Sequence, residues 1–90
     1  MGSGQYLTQV NVRAASAVAE RVGEALGVAL PLDPNTVHTR GERSALWLGP
    51  DEWLVIDMPG HAAEVEATVR RAFAPDWGSV ADVSANRVAY

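Results

Sequence analysis

The chain has no cysteine and no lysine among its 90 residues. Without cysteine there is no disulfide framework, no thiolate metal ligand and no thiol nucleophile. Without lysine, Schiff-base chemistry and the P-loop phosphate grip are excluded. Basic charge is scarce too: seven arginines stand against eleven acidic residues, for a net charge of −4. A nucleic-acid reader needs a basic footprint to displace counterions, and the single adjacent basic pair, Arg70-Arg71, does not make one. No apolar run reaches the roughly 20 residues that a membrane span requires, and no basic–apolar–small-residue leader opens the chain. Neither nucleic acid nor membrane is an expected partner. A small domain without disulfide staples fits the cytoplasm best.

What remains is ordinary for a globular chain: 48% hydrophobic and 20% charged residues. This length holds one domain with a thin core. Met1 to Gly4 reads as a linker left by cloning, and residues 5–90 as a single α+β domain.

From Tyr6 to Arg13 apolar and polar residues alternate, with Tyr6, Thr8, Val10 and Val12 on one side, which predicts a strand. Ser16 is the expected N-cap of a first helix, with Glu20 in its first turn and Val18, Val22, Ala25 and Leu26 on its apolar stripe. Gly27 stands where a left-handed C-cap belongs, and Pro31 and Pro34 forbid continuation. Thr36–Thr39 can pair with Ser44–Leu48 across a turn at Arg40 to Arg43. The turn Gly49-Pro50-Asp51-Glu52 then joins that strand to Trp53–Met58. A second helix follows Pro59-Gly60, with Ala62, Val65, Val69, Ala72 and Phe73 on one stripe. Val80–Ser84 is a last full strand, and Arg87–Tyr90 starts another extended piece. The order β-α-β-β-β-α-β predicts a ferredoxin-like two-layer sandwich, an antiparallel-rich sheet with two helices on one face.

If the four residues Gly49 to Glu52 close the hairpin, Leu48 opposes Trp53 and Leu46 opposes Val55, and directly opposed residues share a face. The other face then carries Ala45, Trp47, Leu54, Ile56 and Met58. A bulge in the turn shifts the register by one and regroups these residues, but both groups stay apolar. Two helices cover only one face of a sheet, so the second face is expected to pack on something else.

Chemistry is hard to find. Asp51-Glu52 sits in a Gly-Pro turn, where nothing separates two carboxyl pKa values. His38 and His61 have no carboxylate or second histidine at ligand spacing, so no metal site is expected. Asp82 and Ser84 lack an elbow motif, and no dinucleotide fingerprint follows a strand. No catalytic, cofactor-binding or metal residue is therefore assigned. Trp47 and Trp53 can in principle stack on a planar ligand, although packing area is the commoner use of an aromatic ring.

The segment Leu46-Trp47-Leu48-Gly49-Pro50-Asp51-Glu52-Trp53-Leu54 resembles the signature of the gamma subunit family of heterotetrameric sarcosine oxidase. The resemblance extends in order and spacing. It takes in Leu7 to Arg13, Leu26-Gly27 through Leu30-Pro31, Pro34 to Val37, and Asp82-Val83-Ser84-Ala85-Asn86-Arg87. It implies half of a folate-binding fold like that of glycine-cleavage T-protein. It further implies a non-catalytic subunit whose alpha and beta partners hold the flavins, NAD and folate. Family members run on for about another half-domain beyond the Asp-Val-Ser strand, so the resemblance covers the N-terminal portion of the family's length. The residues expected to touch partner subunits are Trp47, Trp53, Leu54, Ile56 and Met58, with Tyr90 at the sheet edge. Two rival expectations are a folate-like ligand held against Trp47 or Trp53, and a self-associating domain, most simply a dimer.

Overall fold

The computed structural model describes residues 7–73 and 78–83. Five strands and two helices follow one another as β1 (Thr8–Ala14), α1 (Ser16–Leu26), β2 (Val37–Arg40), β3 (Arg43–Gly49), β4 (Glu52–Asp57), α2 (Ala62–Phe73) and β5 (Gly78–Asp82). The sheet order is β2-β3-β4-β1-β5, and every neighbouring pair is antiparallel. Leaving out β2, the remaining β-α-β-β-α-β unit has the ferredoxin-like arrangement, and β2 adds an edge strand to it. This is the predicted fold class.

The alternation of β1 dictates its role as a central strand. Thr8, Val10, Val12 and Ala14 are buried on one side, while Gln9, Asn11 and Arg13 face the other. The same inner side takes Ala45 from β3, Trp53 and Val55 from β4, and Val80 from β5. Both helices close over it. Val18, Ala19, Val22 and Leu26 of α1 and Val65, Val69 and Phe73 of α2 join those strand residues in one core cluster. Val28, Leu30 and Pro31, from the connection after α1, are buried as well. Among the described residues no helix is long and apolar enough to cross a membrane.

The helix ends differ from expectation at one terminus and agree at the other. The N-cap of α1 is Ala15, with no side-chain cap, so Ser16 is the first helical residue. No acidic residue lies in the first turn, which removes Glu20 from that role, and Ala25 is exposed whereas Ala19 and Gly23 are buried. Gly23 explains the rotation of the stripe. A Cβ built there would lie 3.0 Å from Ala29 Cα, so the chain after α1 crosses the helix at this position. At the other end Gly27 takes φ 82°, and its N–H donates to the Gly23 carbonyl, as expected of a left-handed cap. Arg21 on α1 reaches across to the C-terminal end of α2 and donates to the Ala72 and Phe73 carbonyls at 2.9 and 3.3 Å.

The β3–β4 hairpin has the bulged register. Trp47 opposes Trp53, Leu46 opposes Leu54, Ala45 opposes Val55, and Gly49 opposes Glu52, with an irregularity between Trp47 and Gly49. The turn proper is Pro50-Asp51, and Leu48 is the extra residue. The four-residue closure is thus corrected, with its pairs Leu48–Trp53 and Leu46–Val55. A one-residue slip moves each side chain of a strand to the opposite face.

Candidate interaction surface

The bulge decides which residues look outward. On the face away from the helices, Val37, Leu46, Leu54, Asn11 and Ala81 lie directly across from one another, one from each strand in turn. The adjacent row holds Thr39, Ser44, Ile56 and Gln9. Val37, Leu46, Leu54 and Ile56 therefore form an apolar stripe over the β2, β3 and β4 half of the sheet. Val37 is 54% exposed at the edge, and the other three are half-buried. None of the described helices covers this stripe.

The β1 side of the same face is polar. Asn11 Nδ2 donates to Glu52 Oε2 at 2.8 Å, and Arg13 stands 4.0 Å from Asp51. The expectation of an entirely apolar second face is not met even by the hairpin, which carries Ser44 and Glu52 on that side. Over the whole sheet the face is an apolar stripe with a polar flank, which is the anatomy of a contact patch with a rim.

Several expected contact residues lie elsewhere. Trp53 is fully buried on the helix side, and its indole Nε1–H donates to the Pro31 carbonyl at 2.6 Å. A residue so placed neither meets a partner nor stacks on a ligand. Trp47, opposite it, also belongs to the helix side and is half-buried. Met58 is 46% exposed but lies past the end of β4, beside Arg43, Asp57 and His61 in a shallow depression. Tyr90 lies outside the described residues. Leu54 and Ile56 do face outward, and Leu46 and Val37 join them. These two were missed because the four-residue closure turned Leu46 inward and β2 was not carried into the face assignment.

The depression beside Met58 holds the densest polar cluster. Arg43 Nε donates to Asp57 Oδ2 at 2.8 Å, and its NH1 donates to the Leu26 carbonyl at 2.9 Å. Asp57 Oδ1 accepts from the Met58 N–H at 2.7 Å. Burial pushes the Asp57 carboxyl up, but the Met58 N–H, Arg43 and, more weakly, His61 together hold it below its usual range. His61 opens α2. Its N–H donates to Thr8 Oγ1 at 3.0 Å, its ring Nδ1 lies 3.2 Å from Glu64, and Thr8 in turn donates to the Met58 carbonyl. Every polar group named here has a protein partner, so the cluster is a tie between α1, β3, β4 and α2. Among the described residues no three histidine or acidic side chains gather where a metal ion would sit.

Comparison with known proteins follows the same lines. A family model described as the sarcosine oxidase, gamma subunit family matches residues 11–88. A sarcosine oxidase subunit gamma from Corynebacterium sp. (strain P-1) is 42% identical over 85 residues, and one from Arthrobacter sp. is 41% identical over 85 residues. Each alignment takes in 91% of this chain and 41% of the relative. A chain in the structure of heterotetrameric sarcosine oxidase from Corynebacterium sp. U-96, in complex with pyrrole 2-carboxylate, superposes with a TM-score of 0.78 at 31% identity. That match covers 90% of this chain and 42% of the other. The chain thus spans about two fifths of the length of the curated relatives it matches.

Proposed function

The chain belongs to the sarcosine oxidase gamma subunit family, and from that premise we propose that it is a non-catalytic interaction subunit of a sarcosine-oxidising complex. The observation that carries the reading is the outer stripe Val37, Leu46, Leu54 and Ile56, which no described helix covers. Its occupants in this proposal are the alpha and beta subunits of the oxidase, and the flavins, NAD and folate reside in those partners. Without them the chain pairs with itself as a dimer. A cytoplasmic location belongs to the same proposal. A folate-like ligand on Trp53 is disfavoured by the burial of that ring and by its bond to Pro31.

Two assays on the purified chain test this reading together. Incubated with sarcosine and oxygen, the chain alone should yield no peroxide above a blank. Mixed with the alpha and beta subunits of a heterotetrameric sarcosine oxidase, it should co-elute with them in gel filtration. Turnover by the chain alone, or separate elution at micromolar concentrations of all components, contradicts it.

A further inference from the structure

Strand β2 ends the sheet, and the residues that lead into and out of it are all described. The Trp47 N–H donates to the Thr36 carbonyl at 3.0 Å, which sets the hydrogen-bonding phase between β2 and β3. With Val37 across from Leu46, that phase turns the backbone groups of His38 and Arg40 towards β3. Val37 and Thr39 direct theirs to the other side, where no backbone bond from the described residues reaches them. All four residues of β2 are exposed.

The strand is bounded symmetrically. Asn35 before it and Gly41 after it both take φ 63°, so the extended backbone stops short of each. An antiparallel copy that pairs only extended residues therefore turns about His38, the midpoint. Val37 then opposes Thr39 of the second copy, and each such pair exchanges both of its outward bonds. Moving the axis to Val37 sets Thr39 against Asn35, and moving it to Thr39 sets Val37 against Gly41. The faces agree as well. Val37 and Thr39 lie on the outer face, so the apolar stripe of one copy runs on to that of the other. His38 lies on the helix side, across from buried Ala45. Its Nδ1–H donates to the carbonyl of Ala29, which packs on α1 at Gly23, so the ring is turned inward over its own chain.

We infer that a second copy of this chain adds to the outer edge of β2, antiparallel, about a two-fold axis at His38. The pairing is isologous and joins the two five-stranded sheets into one. The His38 residues meet across the axis as a non-hydrogen-bonded pair, with Cα atoms about 4.5 Å apart. Arg40 lies beside Thr36 of the second copy, so no like charges are opposed. This inference rests on the reading of the chain as an interaction module and deepens it: it assigns the edge on which the chain pairs with itself, and it merges the stripes of both copies into one docking face.

Substitutions on β2 test it. In sedimentation at micromolar concentration the native chain should run as a dimer. Thr39→Pro deletes an outward N–H and no bond of the β2–β3 ladder, and it should raise the dissociation constant by about tenfold or more. His38→Glu and His38→Arg each set like charges across the axis and should weaken the dimer to a similar extent. Mixed in equal amounts, those two variants should associate as the native chain does. Circular dichroism verifies that each variant keeps its fold, and amide exchange on the native chain supplies a readout free of substitutions. The Val37 and Thr39 N–H groups should gain protection as concentration rises through the dimerisation range, while the His38 N–H, bonded to β3, should not. A monomeric native chain, unchanged dimerisation of Thr39→Pro, no recovery in the mixture, or Val37 and Thr39 amides indifferent to concentration overturns the inference. Leu54→Asp separates it from the docking proposal: that change should leave the dimer intact. If it dissolves the dimer, the second copy sits on the stripe and the edge pairing is wrong, whereas failure of a dimeric chain to bind oxidase subunits bears only on the docking proposal.

Discussion

Asp57 is where a single residue has most leverage on the fold. Its side chain is 7% exposed and that of Arg43 18% exposed, so the pair is largely withdrawn from water. Removing Arg43 alone strands a buried carboxylate, and such breaks cost about 3–5 kcal/mol. Because the folded carboxyl binds its proton less tightly than the unfolded one, its contribution is complete above roughly pH 4 and declines as pH falls through the lowered value. Asp57→Asn should therefore lower stability near neutral pH by about 1–3 kcal/mol. It should also flatten the acid limb of the stability curve. Urea midpoints measured between pH 2 and about pH 7 check both effects. An Asn variant that parallels the native chain at every pH would show that the Asp57 charge is immaterial. Trp53 gives the complementary lesson at this scale. Its ring is large enough for an interface, yet its N–H finds the Pro31 carbonyl inside the core.

Among the elements, two glycines separate space from ornament. Gly78 opens β5 directly under the Phe73 ring, so Gly78→Ala should drive the ring off its site and cost about 1–3 kcal/mol. Gly49 precedes Pro50 in the hairpin turn, but it has no positive φ, and an added Cβ would approach nothing closer than 3.9 Å. Gly49→Ala should accordingly shift the urea midpoint by less than about 0.5 kcal/mol equivalent. Reversed magnitudes would contradict the packing assigned to β5. Among the described residues the order and type of the elements were legible in the sequence, because alternation in β1 and the stripe of α2 leave little choice, and the extended piece expected at Arg87–Tyr90 lies outside those residues. The hairpin register was not. Gly49-Pro50-Asp51-Glu52 announces a turn, but nothing local says that Leu48 bulges out and Glu52 pairs with Gly49. The Glu52 side chain is anchored by Asn11 from a distant strand, and that contact is invisible to a local reading. One residue of slip was enough to place Ala45 and Trp47 on the wrong face and to hide Leu46. The Arg43–Asp57 tie was missed for the same reason, since its partners are separated along the chain and meet only after the sheet forms.

At the scale of the whole molecule, the fold divides its surfaces by chemistry. One sheet face is consumed by two helices, and the other shows an apolar stripe beside a polar flank held by Asn11, Glu52, Arg13 and Asp51. Leu46 and Leu54 face each other in the middle of the stripe, where desolvation on docking is most complete and a charge is least tolerated. Leu54→Asp is thus the sharpest single perturbation of the outer face. Leu54 takes no part in the buried core cluster, so the change should spare the fold. The most direct measurement is a calorimetric titration of the oxidase alpha and beta subunits with the native chain and with Leu54→Asp. Docking through the stripe predicts saturable binding by the native chain and a loss of at least about 2 kcal/mol of binding free energy in the variant. Equal affinities for the two, with the variant's circular dichroism unchanged, would contradict it.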